Sequence, residues 1–409
     1  MEFRRRFYEL LLKDYLATHR QMAFVSGPRQ VGKTTTCRSL ADHYLNWDSQ
    51  EDRELILAGQ KALASHLGLD RLRPSPAKSA DGAPVLLLDE LHKYPRWKLF
   101  SKGLFDTLGD GLRVVVTGSS RLDTDRKMGD SLMGRYFLYN LHPFSVAETG
   151  SQDLPDPARV IRSPKRPHEP EFAALWRFGG YPQPFLKRDP RFSHRWQGLR
   201  QAQLLREDVR EQTQIQQIDH LAVLMDLLRS RSGDPLVYSN LAGAVRVSVD
   251  TMRRWIDTLA GLHHGFLVRP WYKNVTRSLR KEPKWYLRDW SAVEDARKRA
   301  ETFVACHLLK AVDGWNDMGL GQFQLGYLRD KEGREVDFVV VRDGAPWFLV
   351  EVKHGQSPIG PGLAHYQGQT GAPFAFQVEM ETGYVDADCF AKPRGPLAVP
   401  ARTFLSQLL

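Results

Sequence analysis

Short unbroken apolar runs alternate with longer mixed stretches along the first third of the chain. Residues 21–26, 85–88 and 113–117 each hold an unbroken apolar run (22–25, 85–88 and 114–116) bounded by polar or turn residues, as strands covered on both faces do. Residues 1–19 space their apolar positions as an amphipathic helix does, and Lys33 opens another helix behind the turn at residues 27–31. Strands separated by helical stretches in this order predict a parallel sheet with crossover helices. Residues 70–84, with three prolines, read as a loop, and residues 151–170, with five prolines and few large apolar side chains, as a linker. Residues 171–235 are helical in pattern. Ser239 and Asn240 then open a short helix (241–245), Ser248 caps a second (249 to about 262), and residues 266–268 form a strand. The last region holds a helix over 297–312 and strands at 335–341 and 348–352.

The expectation is an α/β chain of three parts. A domain with a parallel sheet (1–150) is followed by the linker (151–170). A helical and winged-helix domain (171–285) and a second α/β domain (286–409) complete it. A length of 409 residues agrees with more than one core. No apolar run approaches the roughly 18 residues of a membrane span, and Glu9, Lys13 and Asp14 break the apolar stretch behind Arg4–Arg6, against a signal peptide. Three dispersed cysteines (Cys37, Cys306, Cys389) argue against a disulfide framework or a zinc site. A cytoplasmic location is the expectation.

Charge adds a partner. The formal net charge is +10, and residues 187–310 hold 23 Lys/Arg against 14 Asp/Glu, so most of the excess lies mid-chain. Arg253 and Arg254 fall on the early turns of the helix behind Ser248, where a recognition helix meets the major groove. Lys273, Arg277, Arg280, Lys281 and Lys284 follow, interleaved with Trp271, Tyr272 and Trp285, a composition suited to phosphates and base stacking. DNA is the partner this implies. A solvated basic face, or a helical module packed on the ATPase or on another subunit, is the alternative.

Gly27-Pro28-Arg29-Gln30-Val31-Gly32-Lys33-Thr34 fits GxxxxGK[ST] between a strand and a helix, with Thr35 next. Glycines let main-chain amides converge on phosphate oxygens, Lys33 supplies charge to the β- and γ-phosphates, and Thr34 a hydroxyl to Mg²⁺. Asp89, ending the run 85–88, is placed to hold that Mg²⁺, and Glu90 to polarise the attacking water as general base. Ser119, behind the strand 113–117, is a candidate γ-phosphate sensor, and Arg135 a candidate for transition-state charge, reaching a neighbouring subunit in a ring. ATP and Mg²⁺ are the expected cofactors.

GPRQVGKTT, LLLDELHKYPRW, VVVTGSS and LMGRYFLYNLHPFSVAE resemble the AAA-type ATPases of the prokaryotic group that carry a conserved C-terminal domain of unknown function. FGGYPQPF (178–185), KWYLRD (284–289) and the REVDF…LVEVK block are similar to that group's landmarks. The resemblance implies an AAA+ fold, use of Mg-ATP and oligomerisation, and supplies no biological role.

Asp337, then Glu351 and Lys353, on two adjacent predicted strands, resemble the PD-(D/E)XK nuclease core, with Glu301 on the preceding helix as a third acidic member. Paired carboxylates can hold Mg²⁺ or Mn²⁺ and activate water against a phosphodiester, with Lys353 steadying charge. A decayed nuclease that only binds, or solvated strand faces with cross-strand ion pairs, would carry the same residues. The whole reads as an ATP-driven DNA-processing enzyme. The alternatives are a nucleotide-switched regulatory NTPase and a protein-remodelling ATPase.

Overall fold

The computed structural model describes residues 5–69, 83–109, 111–118, 132–151, 153–209, 215, 217–271, 282–392 and 395–409. The chain divides into two compact units, residues 1–142 with 152–154, and residues 143–151 with 155–409.

In the first unit α1 (Phe7–Thr18) leads into β1 (Met22–Ser26), α2 (Lys33–Arg38), β2 (His43–Asn46), α3 (Gln50–Leu57) and α4 (Gln60–His66). β3 (Val85–Asp89), α5 (Trp97–Leu108), β4 (Arg113–Thr117) and β5 (Tyr136–Asn140) complete it. The five strands pair in the order β2-β3-β4-β1-β5, and every pairing is parallel. All five residues of β1 are buried, so its sequence shows no polar alternation. Phe24, Leu86, Leu88, Val114 and Val116 pack under Trp97, Phe100 and Leu104 of α5. The order sets β4 between the strand that feeds the phosphate-binding loop and the strand that ends in Asp89.

The second unit opens with α6 (Val146–Gly150), α7 (Glu169–Phe178), α8 (Pro182–Lys187) and α9 (Pro190–Gln203). Next come α10 (Ile218–Ser230), α11 (Tyr238–Val245), α12 (Val249–Gly261), β6 (Gly265–Pro270) and β7 (Lys284–Leu287). The 22-residue α13 (Ala296–Asp317) precedes β8 (Phe323–Arg329), β9 (Glu335–Arg342), β10 (Ala345–Lys353), α14 (Pro361–Thr370) and β11 (Phe374–Glu379). β12 (Leu397–Pro400) and α15 (Ala401–Ser406) end it. Seven strands form one sheet in the order β12-β11-β10-β9-β8-β6-β7. β8, β9 and β10 are an antiparallel meander, β11 joins β10 in parallel behind α14, and β6 joins β8 in parallel.

Two boundaries differ from the sequence reading. Residues 171–285 and 286–409 share this sheet, because the β6–β7 hairpin behind α12 is its edge. The proline-rich stretch 151–170 buries Val160 and Ile161 in the core of the second unit, and Arg162 N–H donates to Gln407 O at 3.0 Å. Prolines keep residues 155–167 out of helix but leave the apolar side chains free to pack.

Residues 143–151, at the end of the expected ATPase domain, also belong to the second unit. Lys310 of α13 donates to Pro143 O at 3.0 Å and pairs with Glu148 at 2.5 Å, both side chains being almost fully buried. His307, one helical turn earlier, accepts the Val146 N–H at 3.1 Å. Breaking a buried ion pair strands a charge, at about 3–5 kcal/mol, whereas replacing both partners by apolar groups is often near neutral. Lys310→Met is therefore expected to lower the urea midpoint of the second unit sharply, and Lys310→Met with Glu148→Leu to recover most of the loss.

Candidate functional site

The loop between β1 and α2 is built for close approach. Gly27 has φ +150°, and a Cβ there would lie 2.4 Å from Leu141 O, so only glycine fits. Gly32 at φ 99° turns the chain into α2. Lys33 is buried and its ammonium donates to Gly27 O and Pro28 O at 2.9 and 3.0 Å. Burial depresses its affinity for the proton, with Glu90 and Asp89 pulling the other way. Pro28 and Val31 are buried, Arg29 half-buried, and Gln30 (φ 62°) and Thr35 exposed. Arg6 secures the loop from outside, donating to Val31 O at 3.0 Å and His142 O at 2.6 Å.

Asp89 is where the strands converge. Leu88 of β3 pairs with Val116 of β4, so Asp89 ends its strand beside Thr117. Its carboxylate accepts from Thr34 Oγ1 at 3.1 and 2.9 Å, from Tyr44 OH at 3.1 Å, and from Thr117 Oγ1. Thr34 and Asp89, the two oxygen donors expected for nucleotide-bound Mg²⁺, are thus adjacent although 55 residues apart in sequence. Such hard oxygen donors beside a buried ammonium fit a Mg-triphosphate. Glu90 adopts the left-handed backbone (φ 55°), rare outside glycine and a mark of functional positions. Its N–H donates to Thr117 Oγ1 at 3.4 Å, and its carboxylate lies 3.7 Å from Lys93 Nζ and 3.8 Å from His92 Nε2. Burial raises its proton affinity against the pull of Lys33 and Lys93, which suits a general base.

Thr117 and Tyr44 were missed in the sequence: Tyr44 belongs to no motif, and Thr117, although inside VVVTGSS, reads as strand; it occupies the strand end where Ser119 was expected to act. Ser119 itself lies outside the described residues. Arg135 forms a two-pronged pair with Asp106 of α5, at 2.8 and 3.2 Å.

The second unit gathers a different cluster. Lys284 of β7, read from sequence as part of a basic DNA-facing stretch, is 2% exposed. Its ammonium lies 2.5 Å from Glu335, 3.0 Å from Glu301 and 3.8 Å from Asp337. Burial works against its charge, but Glu301, Asp337 and Glu335 outweigh it and raise its pKa above the ordinary lysine value. Tyr286 OH donates to Glu301 at 2.6 Å. Asp337 takes the Val352 N–H at 2.8 Å; burial, then Glu301, pushes its carboxyl up to about 7. Glu351 and Lys353 pair with each other at 2.7 Å on β10. Glu301 and Asp337 are thus joined through Lys284, while Glu351 and Lys353 form a separate pair. Among the described residues no three His, Cys, Asp or Glu side chains are placed to hold a metal ion.

Of the other basic candidates, Arg253 and Arg254 are exposed on α12, whose N-cap Ser248 accepts the Thr251 N–H at 3.1 Å. Met252, Trp255, Ile256 and Leu259 fill the opposite, buried face. Trp285 is fully buried and offers no stacking face. Lys273, Arg277, Arg280 and Lys281 lie outside the described residues. No helix among the described residues is long and apolar enough to cross a membrane.

Residues 19–150 match a family model described as an AAA domain. Residues 169–300 and 298–380 match two models each described as a domain of unknown function, DUF8612 and DUF4143. The first unit therefore carries an AAA-type P-loop ATPase domain. Two curated relatives, uncharacterized protein Mb2031c of Mycobacterium bovis and uncharacterized protein Rv2008c of Mycobacterium tuberculosis, are each 23% identical over 354 residues, 84% of this chain and 72% of theirs. Among solved structures, a Pif1 helicase from Bacteroides aligns with TM-score 0.20 and 14% identity over 34% of this chain and 42% of that one. C. elegans PCH-2 aligns with TM-score 0.23 and 15% identity over 62% and 65%. Neither structural likeness is close enough to inform the activity.

Two outcomes follow from the geometry. Thr117→Val removes a hydroxyl from Asp89, and the gain in nucleotide affinity that Mg²⁺ confers should shrink roughly 10- to 100-fold, about the 1.5–3 kcal/mol of one hydrogen bond to a charged group. Calorimetric titration of ATP with and without Mg²⁺ reads that ratio. For Asp337, a folded pKa of about 7 against the ordinary carboxylate value means the folded chain keeps a proton the unfolded chain releases. Its contribution to stability is therefore lost as pH rises from about 4 to about 7. Asp337→Asn should flatten that fall in urea midpoints.

Proposed function

We propose that the chain is an ATP-hydrolysing protein that binds DNA and couples its nucleotide cycle to work on it. The observation that carries the reading is the joined set Lys33, Thr34, Asp89, Glu90 and Thr117, together with the exposed arginine pair on α12.

The triphosphate lies against the amides of residues 27–34, and Lys33 leaves its loop carbonyls for the β- and γ-phosphates. Thr34 and Asp89 would hold a Mg²⁺ ion, which would supply charge neutralisation at the phosphate oxygens. Glu90 orients a water toward the γ-phosphorus and takes its proton as the bond to the β-phosphate oxygen breaks, leaving ADP and phosphate. Thr117 fixes both acidic neighbours at once, its hydroxyl donating to Asp89 and accepting the Glu90 N–H.

Support for DNA comes from the helix pair α11–α12 followed by the β6–β7 hairpin, the order of a winged helix, with Arg253 and Arg254 on the exposed face. The order α13-β8-β9-β10-α14-β11 likewise agrees with the nuclease-like resemblance of residues 286–409. A ring in which Arg135 leaves Asp106 for a neighbour's triphosphate is the assembly this reading favours.

Lys33→Ala should abolish hydrolysis, and Glu90→Gln should keep ATP binding while slowing turnover about 10²–10⁴-fold; unchanged rates would remove the ATPase assignment. DNA should stimulate the wild-type rate, and its absence of effect would favour a nucleotide-switched regulator. Arg253→Ala with Arg254→Ala should weaken DNA binding and reduce the slope of log affinity against log salt by about 1–2. Mixing Lys33→Ala chains with Arg135→Ala chains should restore hydrolysis that neither has alone; no recovery would argue that Arg135 does not act between subunits.

A further inference from the structure

The acidic centre of the second unit has the carboxylates of a metal site and the contacts of an ion-pair network. Glu301 comes from α13, Glu335 and Asp337 from alternate positions of β9, and Lys284 from β7, which is not adjacent to β9 in the sheet. The ammonium reaches all three within 3.8 Å while itself 2% exposed. Several of these oxygens have a further partner. Glu301 Oε1 additionally receives Tyr286 OH at 2.6 Å, and Asp337 Oδ2 receives the Val352 N–H at 2.8 Å. Glu335 Oε2 lies 3.5 Å from Arg329, and Glu351 Oε1 2.7 Å from Lys353.

A divalent cation needs about six oxygens at about 2.0–2.6 Å and would meet like charge from an ammonium already seated among them. A lysine buried with three carboxylates needs no further cation, and it ties together three elements that share no ladder. We propose that the Lys284 ammonium stands where a metal-dependent nuclease would hold its divalent cation, so that the C-terminal unit grips DNA without cutting it. This rests on the nuclease-like reading of that unit. Lys284 and Tyr286 then serve as a metal-free lock that fastens the hairpin behind the arginine-bearing helix to α13 and β9. Removing the ammonium leaves three carboxylates facing one another with their charge uncompensated, and a divalent cation can then draw them together.

Electron paramagnetic resonance titration of Mn²⁺ into nucleotide-free protein tests this without DNA, so its failure is separable from a failure of DNA binding. Wild type and Asp337→Asn are expected to take up Mn²⁺ equally. Lys284→Ala should take up one further Mn²⁺ per chain, and Lys284→Ala with Asp337→Asn should lose it. Should Lys284→Ala not fold, Lys284→Met keeps the stem and removes the charge, and the wild-type comparison with Asp337→Asn stands regardless. Wild-type uptake that Asp337→Asn lacks, or no gain in a folded Lys284 variant, overturns the proposal. So do Mg²⁺- or Mn²⁺-dependent DNA cleavage products that Asp337→Ala fails to give; their absence from wild type is the expected result.

Discussion

The hydrogen bonds converging on the Asp89 carboxylate are the constraint from which the N-terminal unit can be understood. Thr34 approaches from the phosphate-binding loop, Tyr44 from β2 and Thr117 from β4, so one side chain fixes the mutual position of three segments. A buried carboxylate is tolerable only when its oxygens are well supplied with donors. The same donors hold it ready beside Lys33, so the requirement for folding and the requirement for phosphate chemistry coincide at one residue. The parallel sheet makes this feasible, since all its strands end on the same side and bring loops distant in sequence together.

Elements whose evidence is local were legible from residue types alone. β1, β3 and β4 announce themselves by unbroken apolar runs, and the loop by glycines that its backbone geometry demands, Gly27 at φ +150° and Gly32 at φ 99°. Ser248 marked the start of α12 correctly because a cap acts within one turn. Lys33, Thr34, Asp89 and Glu90 were candidates because their motifs report spacing along single strands and turns, and the structure sets Thr34 against Asp89.

What escaped is non-local. Thr117 and Tyr44 matter through their distance from Asp89, which no spacing encodes. Lys284 sits in a basic run and was read with its neighbours, yet on a four-residue buried strand its side chain is committed to carboxylates contributed by α13 and β9. The division at residue 285 failed to show the shared sheet for the same reason: β6 pairs with β8, across α13 in sequence. Composition located the charge excess but not which of its members face solvent.

α13 has one further effect. Glu301 near its start reaches Lys284, and His307 and Lys310, two and three turns on, hold residues 143–148. These grips are about 14 Å apart along an uninterrupted rod of main-chain hydrogen bonds. A tug on Pro143 is therefore felt at the carboxylate cluster as an axial displacement, with no hinge between to absorb it.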